Sequence, residues 1–278
     1  MLYVRGGEYR EELVKLRLHE GTPDRPIKVR NFPGERAVVR GLVWLRQPMY
    51  WKIRGLNVTW DPTTKPPPRA MVKVTGGVGW TWKKSEIWGS RGYANMLVVG
   101  AGEDEPAKWS ILRNCIHDIR PPKGSRGSNL NITKMRAAGP GQVNRNIIFG
   151  DAGQRNVALG SVDDGATDLA ITNNTIYGGK VAASFAGNSH GVHITRNILG
   201  GASSGILISW HSPEGYDNLV RQNLGIQPTR FLRPDAEPEI EGPGNVLAES
   251  VTFPDVSSCY GFHTEAGAAL PYGRYAVG

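Results

Sequence analysis

Short apolar runs alternate with polar residues along most of the chain, and one motif keeps returning. An aliphatic or aromatic residue is followed three positions later by a short polar one: Trp82 by Ser85, Ile111 by Asn114, Val143 by Asn146, Ile171 by Asn174, Ile194 by Asn197 and Val220 by Asn223. Successive polar members are 29, 32, 28, 23 and 26 residues apart. A repeat of that length predicts a solenoid, because each unit can bury its apolar face only against the next. Period-two alternation divides each unit into three short strands. In one unit these are 169–172, 175–177 and 181–186, turned by Asn173-Asn174 and Gly178-Gly179; in the next they are 192–195, 198–199 and 206–210. Earlier copies of the first two strands fall within 50–58, 81–89, 110–119 and 143–150, and third strands at 42–45, 71–74, 96–100, 130–134 and 157–160. The expectation is an all-β coil of about eight turns over residues 1–226, with an irregular segment, 227–278, packing on it or capping it.

The asparagines fall in tight turns, where Asn tolerates left-handed backbone, and each amide can bond the asparagine one turn on to form a ladder inside the coil. Trp51, Trp80 and Trp109 are each 29 residues apart and each stands two before an apolar anchor, Ile53, Trp82 or Ile111. They should therefore share the inward face and stack; turned outward, they would make a sugar platform. After Ile226 the repeat fades among Pro228, Pro234, Pro238, Pro243, Pro254 and Pro271. That stretch is expected to wrap back along the coil and cover exposed edges. The first strand, 2–5, has nothing to cover it.

Composition agrees: 36 glycines, 19 prolines and 8% aromatics in 278 residues suit many turns more than a helical bundle. No uninterrupted apolar run of about 18 residues exists, so no membrane-spanning helix is expected. The opening Met1-Leu2-Tyr3-Val4-Arg5-Gly6-Gly7 has no signal-peptide pattern. A formal net charge of +8 favours a polyanionic partner, with simple solubility as the plain reading. There is no Lys/Arg run, zinc-ligand spacing or reader motif, so an acidic polysaccharide is expected and nucleic acid is not. Cys115 and Cys259 cannot form a disulfide framework and reveal little about compartment.

Three segments are specific: Tyr3-Val4-Arg5-Gly6-Gly7-Glu8-Tyr9-Arg10-Glu11-Glu12, then Gly21-Thr22-Pro23-Asp24-Arg25-Pro26-Ile27-Lys28-Val29-Arg30, then Pro33-Gly34-Glu35-Arg36-Ala37-Val38-Val39-Arg40-Gly41. They resemble the N-terminal turns of pectate-lyase-like proteins, nearest to the alginate lyase and chondroitinase B type. The resemblance implies a single-stranded right-handed parallel β-helix that degrades an acidic polysaccharide, by β-elimination as a lyase or as a hydrolase. A non-catalytic glycan-binding or structural β-helix, such as a tailspike-like virion component, is the alternative. It also implies an extracellular, cell-surface or virion-associated location. The helix that normally caps such a coil is missing ahead of Leu2, which fits either a fragment or mis-started chain, or capping by a partner, an N-terminal capping partner or a homotrimer. Where many relatives carry Asp-His-Gly-Ile-Tyr on a third strand, this chain has Ser128-Asn129-Leu130-Asn131-Ile132, and the Asp-Pro-His signature of alginate epimerases is absent.

In such proteins the substrate lies across the outward face of the third strands. With Val72, Val74, Leu130, Ile132, Val157, Leu159, Ile206 and Ile208 inward, the outward positions become Trp44, Lys73, Thr75, Asn131, Thr133, Ala158, Ser184, Leu207 and Ser209. Trp44, Lys73, Asn131, Trp210 and His211 are the candidate sugar-binding residues. On the rim, Lys134 and Arg136 can stabilise an enolate-like uronate while His190 removes its proton. Asp163 and Asp164 can form an acid–base pair for hydrolysis. With Asp168 they also offer oxygen ligands for Ca²⁺, against the plain reading of an Asp-Gly turn.

Overall fold

The computed structural model describes residues 1–15, 17–63, 69–100, 106–135, 139–150, 156–212, 214–228, 230–234, 240–248, 253, 255–259, 261–262 and 272–274. Every third strand joins the same sheet, and every pairing between strands is parallel. Among the described residues, sheet A has nine strands, from Leu2–Val4 to Leu219–Arg221; sheet B has ten, from Gly7–Tyr9 to Val246–Ala248; sheet C has nine, from Leu13–Lys15 to Arg230–Pro234. The chain is a parallel β-helix of nine full turns, with the strand Val246–Ala248 opening a tenth, and its parallel crossovers take the right hand.

The coil therefore runs past Ile226, where the repeat in the sequence fades. Arg230–Pro234 pairs with Ile206–His211, and Val246–Ala248 pairs with Leu224–Ile226. Prolines obscured these strands; Pro234 ends the outermost strand of sheet C, an edge position where proline is tolerated.

Inside the coil, equivalent side chains stack turn upon turn. Ile53, Trp82, Ile111, Val143, Ile171, Ile194 and Val220 form one row, each at most 3% exposed. Burying each side chain stabilises the fold by about 2 kcal/mol. Beside it, Trp80 and Trp109 stack at 5.3 Å and 16°. Trp51 is half-buried, and its indole N–H donates to the His19 carbonyl at 2.9 Å. Gly141 lies opposite Trp109, where a Cβ would stand 2.4 Å from the ring.

The asparagine ladder is present and longer than the sequence suggested. Nδ2 donates to the next Oδ1 from Asn114 to Asn146, then Asn174, Asn197, Asn223 and Asn245, at 3.0 to 3.1 Å. The left-handed residue is not the asparagine but the one before it: Arg113, Arg145, Asn173, Arg196 and Gln222 have φ of 53° to 56°. That residue bends the corner, which leaves the asparagine amide pointing inward to satisfy buried backbone groups.

Two outward assignments are corrected. Ala158 and Leu207 are fully buried in the core, like their sequence neighbours Leu159 and Ile208. At the bend from sheet B to sheet C two successive side chains face inward, as Met71-Val72 and Ala182-Ala183 also do, so strict alternation starts only after it.

Phe253, Cys259 and Phe262 of the C-terminal segment lie on the outer face of sheet B. Cys259 is disulfide-bonded to Cys115, with Cα atoms 6.0 Å apart. Phe262 is 1% exposed and meets Phe149 at 4.8 Å and Tyr177 at 5.6 Å. The 144-residue separation hid this pairing.

Candidate functional site

Sheet C presents the open face. Its outward row runs Trp44, Lys73, Leu97, Asn131, Gly160, Ser184, Ser209 and Arg233, in register across successive strands. Over the C-terminal half of this row lies a cleft of about 570 Å³. Asn131, Gly160, Ser184 and Ser209 are its floor; Tyr93, Arg126, Lys180 and His211 stand around it. Small residues make the hollow: a Cβ on Gly160 would come 3.2 Å from Asn131 Nδ2.

The polar groups of the cleft are incompletely paired. Asn131 is fully buried, and its Nδ2 donates to Tyr93 Oη at 3.1 Å and Ser128 Oγ at 2.9 Å. Its Oδ1 has no hydrogen-bond partner among the described residues, and neither has Oγ of Ser161 on the same wall. An unpaired buried oxygen costs about 1–3 kcal/mol. Ser209 Oγ and His211 Nε2 lie 2.5 Å apart, a hydrogen bond whose donor depends on the imidazole tautomer. They stand two apart on the strand Ile206–His211, so both project from the same face. Burial pushes the Tyr93 phenol above its usual value, and the Asp163 charge adds to this.

Trp44 and Lys73 share the open face two strands further down. The Lys73 ammonium sits 3.8 Å from the Trp44 ring centroid, and the indole N–H donates to Thr75 Oγ1 at 3.1 Å. Burial, with Arg69 adding, lowers the Lys73 pKa. Trp210 is corrected: it is fully buried and stacks on Phe185 at 4.9 Å, so it has no face to offer a sugar.

Most of the rim lies elsewhere, at the corner between sheets C and A. Lys134 Nζ is 3.8 Å from Asp163 Oδ2, with both side chains about half exposed, a pairing of at most about 1 kcal/mol. Asp164 follows in the same turn. His190 opens the sheet A strand His190–Thr195; its ring stacks on Tyr216 at 4.5 Å and its Nδ1 is 2.8 Å from the Asn188 carbonyl oxygen. None of these four lines the cleft. Arg136 lies outside the described residues. Asp168 is an exposed member of the strand Thr167–Thr172. Among the described residues, the trio of potential metal ligands within 4.8 Å of one another is Cys115, His117 and Cys259. Its sulfurs are joined in the disulfide. Asp163, Asp164 and Asp168 are not part of that trio.

Sequence reasoning placed Asn131 and His211 correctly on this face and missed Tyr93, Arg126, Ser161 and Lys180. Lys180 directly precedes the strand Val181–Ala186, so its place was readable from the strand starts. Arg126 sits in an irregular loop that no periodicity marks.

No family model matches the chain, and no curated protein matches it. Solved structures do. Pectate lyase Pel9A superposes with a TM-score of 0.53 at 12% identity, over 92% of this chain and 74% of that one. The A-module of mannuronan C-5 epimerase AlgE6 from Azotobacter vinelandii gives 0.40 at 12%, over 89% and 90%. The PL6 family alginate lyase AlyGC gives 0.33 at 13%, over 99% of this chain and 54% of that one. The likeness is one of fold.

Proposed function

We propose that the chain is a carbohydrate-active β-helix that cleaves an acidic polysaccharide by β-elimination in the cleft over sheet C. The observation that carries this reading is the Ser209–His211 pair on a small-residue floor, beside the unpartnered Asn131 Oδ1 and between Arg126 and Lys180. The two cations hold the uronate carboxylate and stabilise negative charge as it develops. His211 accepts the C5 proton; its electron pair becomes the C4=C5 double bond as the C4–O bond breaks. The leaving oxygen takes a proton from the Ser209 hydroxyl or from water. Two-carboxylate hydrolysis is less well served, since no Asp or Glu is among the described lining residues. The Cys115–Cys259 bridge supports an extracellular or cell-surface setting, where disulfides persist.

A non-catalytic glycan-binding role is the second reading, favoured by Ser128-Asn129-Leu130-Asn131-Ile132, a stretch of the floor without an ionisable group. The test is a panel of alginate, polygalacturonate, glycosaminoglycans and bacterial exopolysaccharides, with and without Ca²⁺. New ultraviolet absorbance from unsaturated uronates is the expected result. Reducing ends without that absorbance would mean hydrolysis, and would turn attention to Asp163 and Asp164. Binding without product would leave the second reading.

A further inference from the structure

The corner between sheets A and B carries a stack of like charges. In the left-handed position that precedes the asparagine ladder, successive turns place Lys84, Arg113 and Arg145 one above another, with φ of 54° to 56°. Backbone bonds set the register: Lys84 N–H donates to the Leu112 carbonyl, Arg113 to Asn144 and Arg145 to Thr172. Beside them on the outer face of sheet A, Arg54 is paired directly with Lys83. Like charges opposite one another on neighbouring strands are destabilising, and strands lie about 4.8 Å apart. None of these five cations forms an ion pair with a described residue. The Lys84 ammonium is driven below its usual value by Arg54 first, then by burial, Arg113, Lys83 and Arg274; every charge acting on it is positive.

This corner is also concave. A cleft of about 720 Å³ opens there, walled by Lys84, Arg113, Arg145, Arg36 and Arg274, with Ser257 and Ser258 of the C-terminal segment on its far side. Among its described lining residues the one carboxylate, Glu86, is engaged by Arg36 and His117.

We propose that this corner is a second binding site, separate from the sheet C cleft, for an extended acidic polysaccharide whose carboxylate or sulfate groups neutralise the Lys84–Arg113–Arg145 stack. The choice of polymer class rests on the function proposed above; the presence of a polyanion site does not. A cation every turn, about 4.8 Å along the coil, matches a chain bearing one anionic group per pyranose ring. Among the described lining residues there is no Phe, Tyr or Trp, and the one ring, His117, is already stacked on Phe149, so no platform is offered to stack successive bases, as single-stranded nucleic acid sites require.

The test compares the full chain with the triple variant Lys84→Gln, Arg113→Gln, Arg145→Gln. Glutamine suits that backbone, since Gln222 occupies the same left-handed position. Binding of fluorescent polygalacturonate, heparin and poly(dT) is followed over a salt series, with unfolding curves to verify the fold. The triple variant should lose at least tenfold in affinity for an acidic glycan, and its salt slope should fall by about 2, as for three lost contacts to a single-stranded polyanion. Equal binding and slope in the triple variant, no glycan binding by the parent chain, or tighter binding of poly(dT) than of either glycan would each overturn the proposal. Product formation from short oligouronides, measured in parallel, reports on the sheet C cleft alone. Either site can therefore fail while the other stands.

Discussion

Sheets B and C are built from the same short parallel strands on the same core, and they differ in what they turn outward. Sheet B shows Cys115, Ile147, Phe149 and Tyr177, and this apolar surface is covered by Phe253, Cys259 and Phe262. Sheet C shows Lys73, Asn131, Gly160, Ser184 and Ser209, and over its C-terminal half it leaves a cleft. An apolar outer face must be buried, so the chain folds back over it. A face of small polar residues is stable in water and stays available to a ligand.

The sharpest way to break this contrast is to release the cover. Closing a loop across 144 residues is worth about 5 kcal/mol of unfolded-chain entropy, so Cys259→Ser should loosen the C-terminal segment first. Limited proteolysis should cut that segment while the coil resists, and urea unfolding should become biphasic. A variant as resistant as the parent would show that aromatic packing alone holds the cover.

The ladder serves both faces and should be next in effect. Asn174 Nδ2 donates to Val143 O at 2.8 Å, Thr172 O at 3.0 Å and Asn197 Oδ1 at 3.0 Å, and its Oδ1 accepts from the Asn146 backbone N–H at 2.9 Å. Asn174→Ala leaves at least two buried backbone groups unpaired, a loss of about 3 kcal/mol. Chemical denaturation measures it, and a loss under about 1 kcal/mol would mean that water replaces the amide.

These two elements were not equally legible in the sequence. The ladder and the inward rows repeat with the coil, so spacing alone exposed them. The disulfide, the two-residue inward step at Ala158 and Leu207, and the strands beyond Ile226 have no period, because they belong to corners and ends. Trp210 was within reach: counting alternately from Ile208 through Ser209 sends it inward. The cleft was half legible, since its floor obeys alternation while Arg126 and Tyr93 reach it from irregular segments.

On the open face, His211→Ala should lower product formation about 100-fold, the low end for general acid–base catalysis, while stability changes by no more than about 0.5 kcal/mol. His190→Ala, at a corner away from the cleft, should leave turnover near the parent value. The reverse pattern would move the site to the corner between sheets C and A.

The smallest effect concerns the covered face and its pH dependence. His117 lies under the cover, 3.1 Å from Glu86 and 3.1 Å from Asp118, with its ring stacked on Phe149 at 4.8 Å. Burial opposes its charge, but Asp118 and Glu86 outweigh burial and hold its pKa above the ordinary value. The His117 hydrogen bond, against burial and with help from Arg36, holds Glu86 at about 2. A raised histidine adds stability in full below its unfolded value, near 6.5, and loses it as pH rises through the folded value; a depressed glutamate adds stability above about 4.3 and loses it as pH falls toward its folded value. The cover should hold best between about pH 4.5 and 6.5. The alkaline loss should be small and should appear as a decline in melting temperature as pH rises above about 6.5. His117→Gln should abolish the alkaline decline and weaken the acid one, since Arg36 alone then holds Glu86 low. If the decline above pH 7 persists in that variant, the titrating group is not the imidazole beneath the cover.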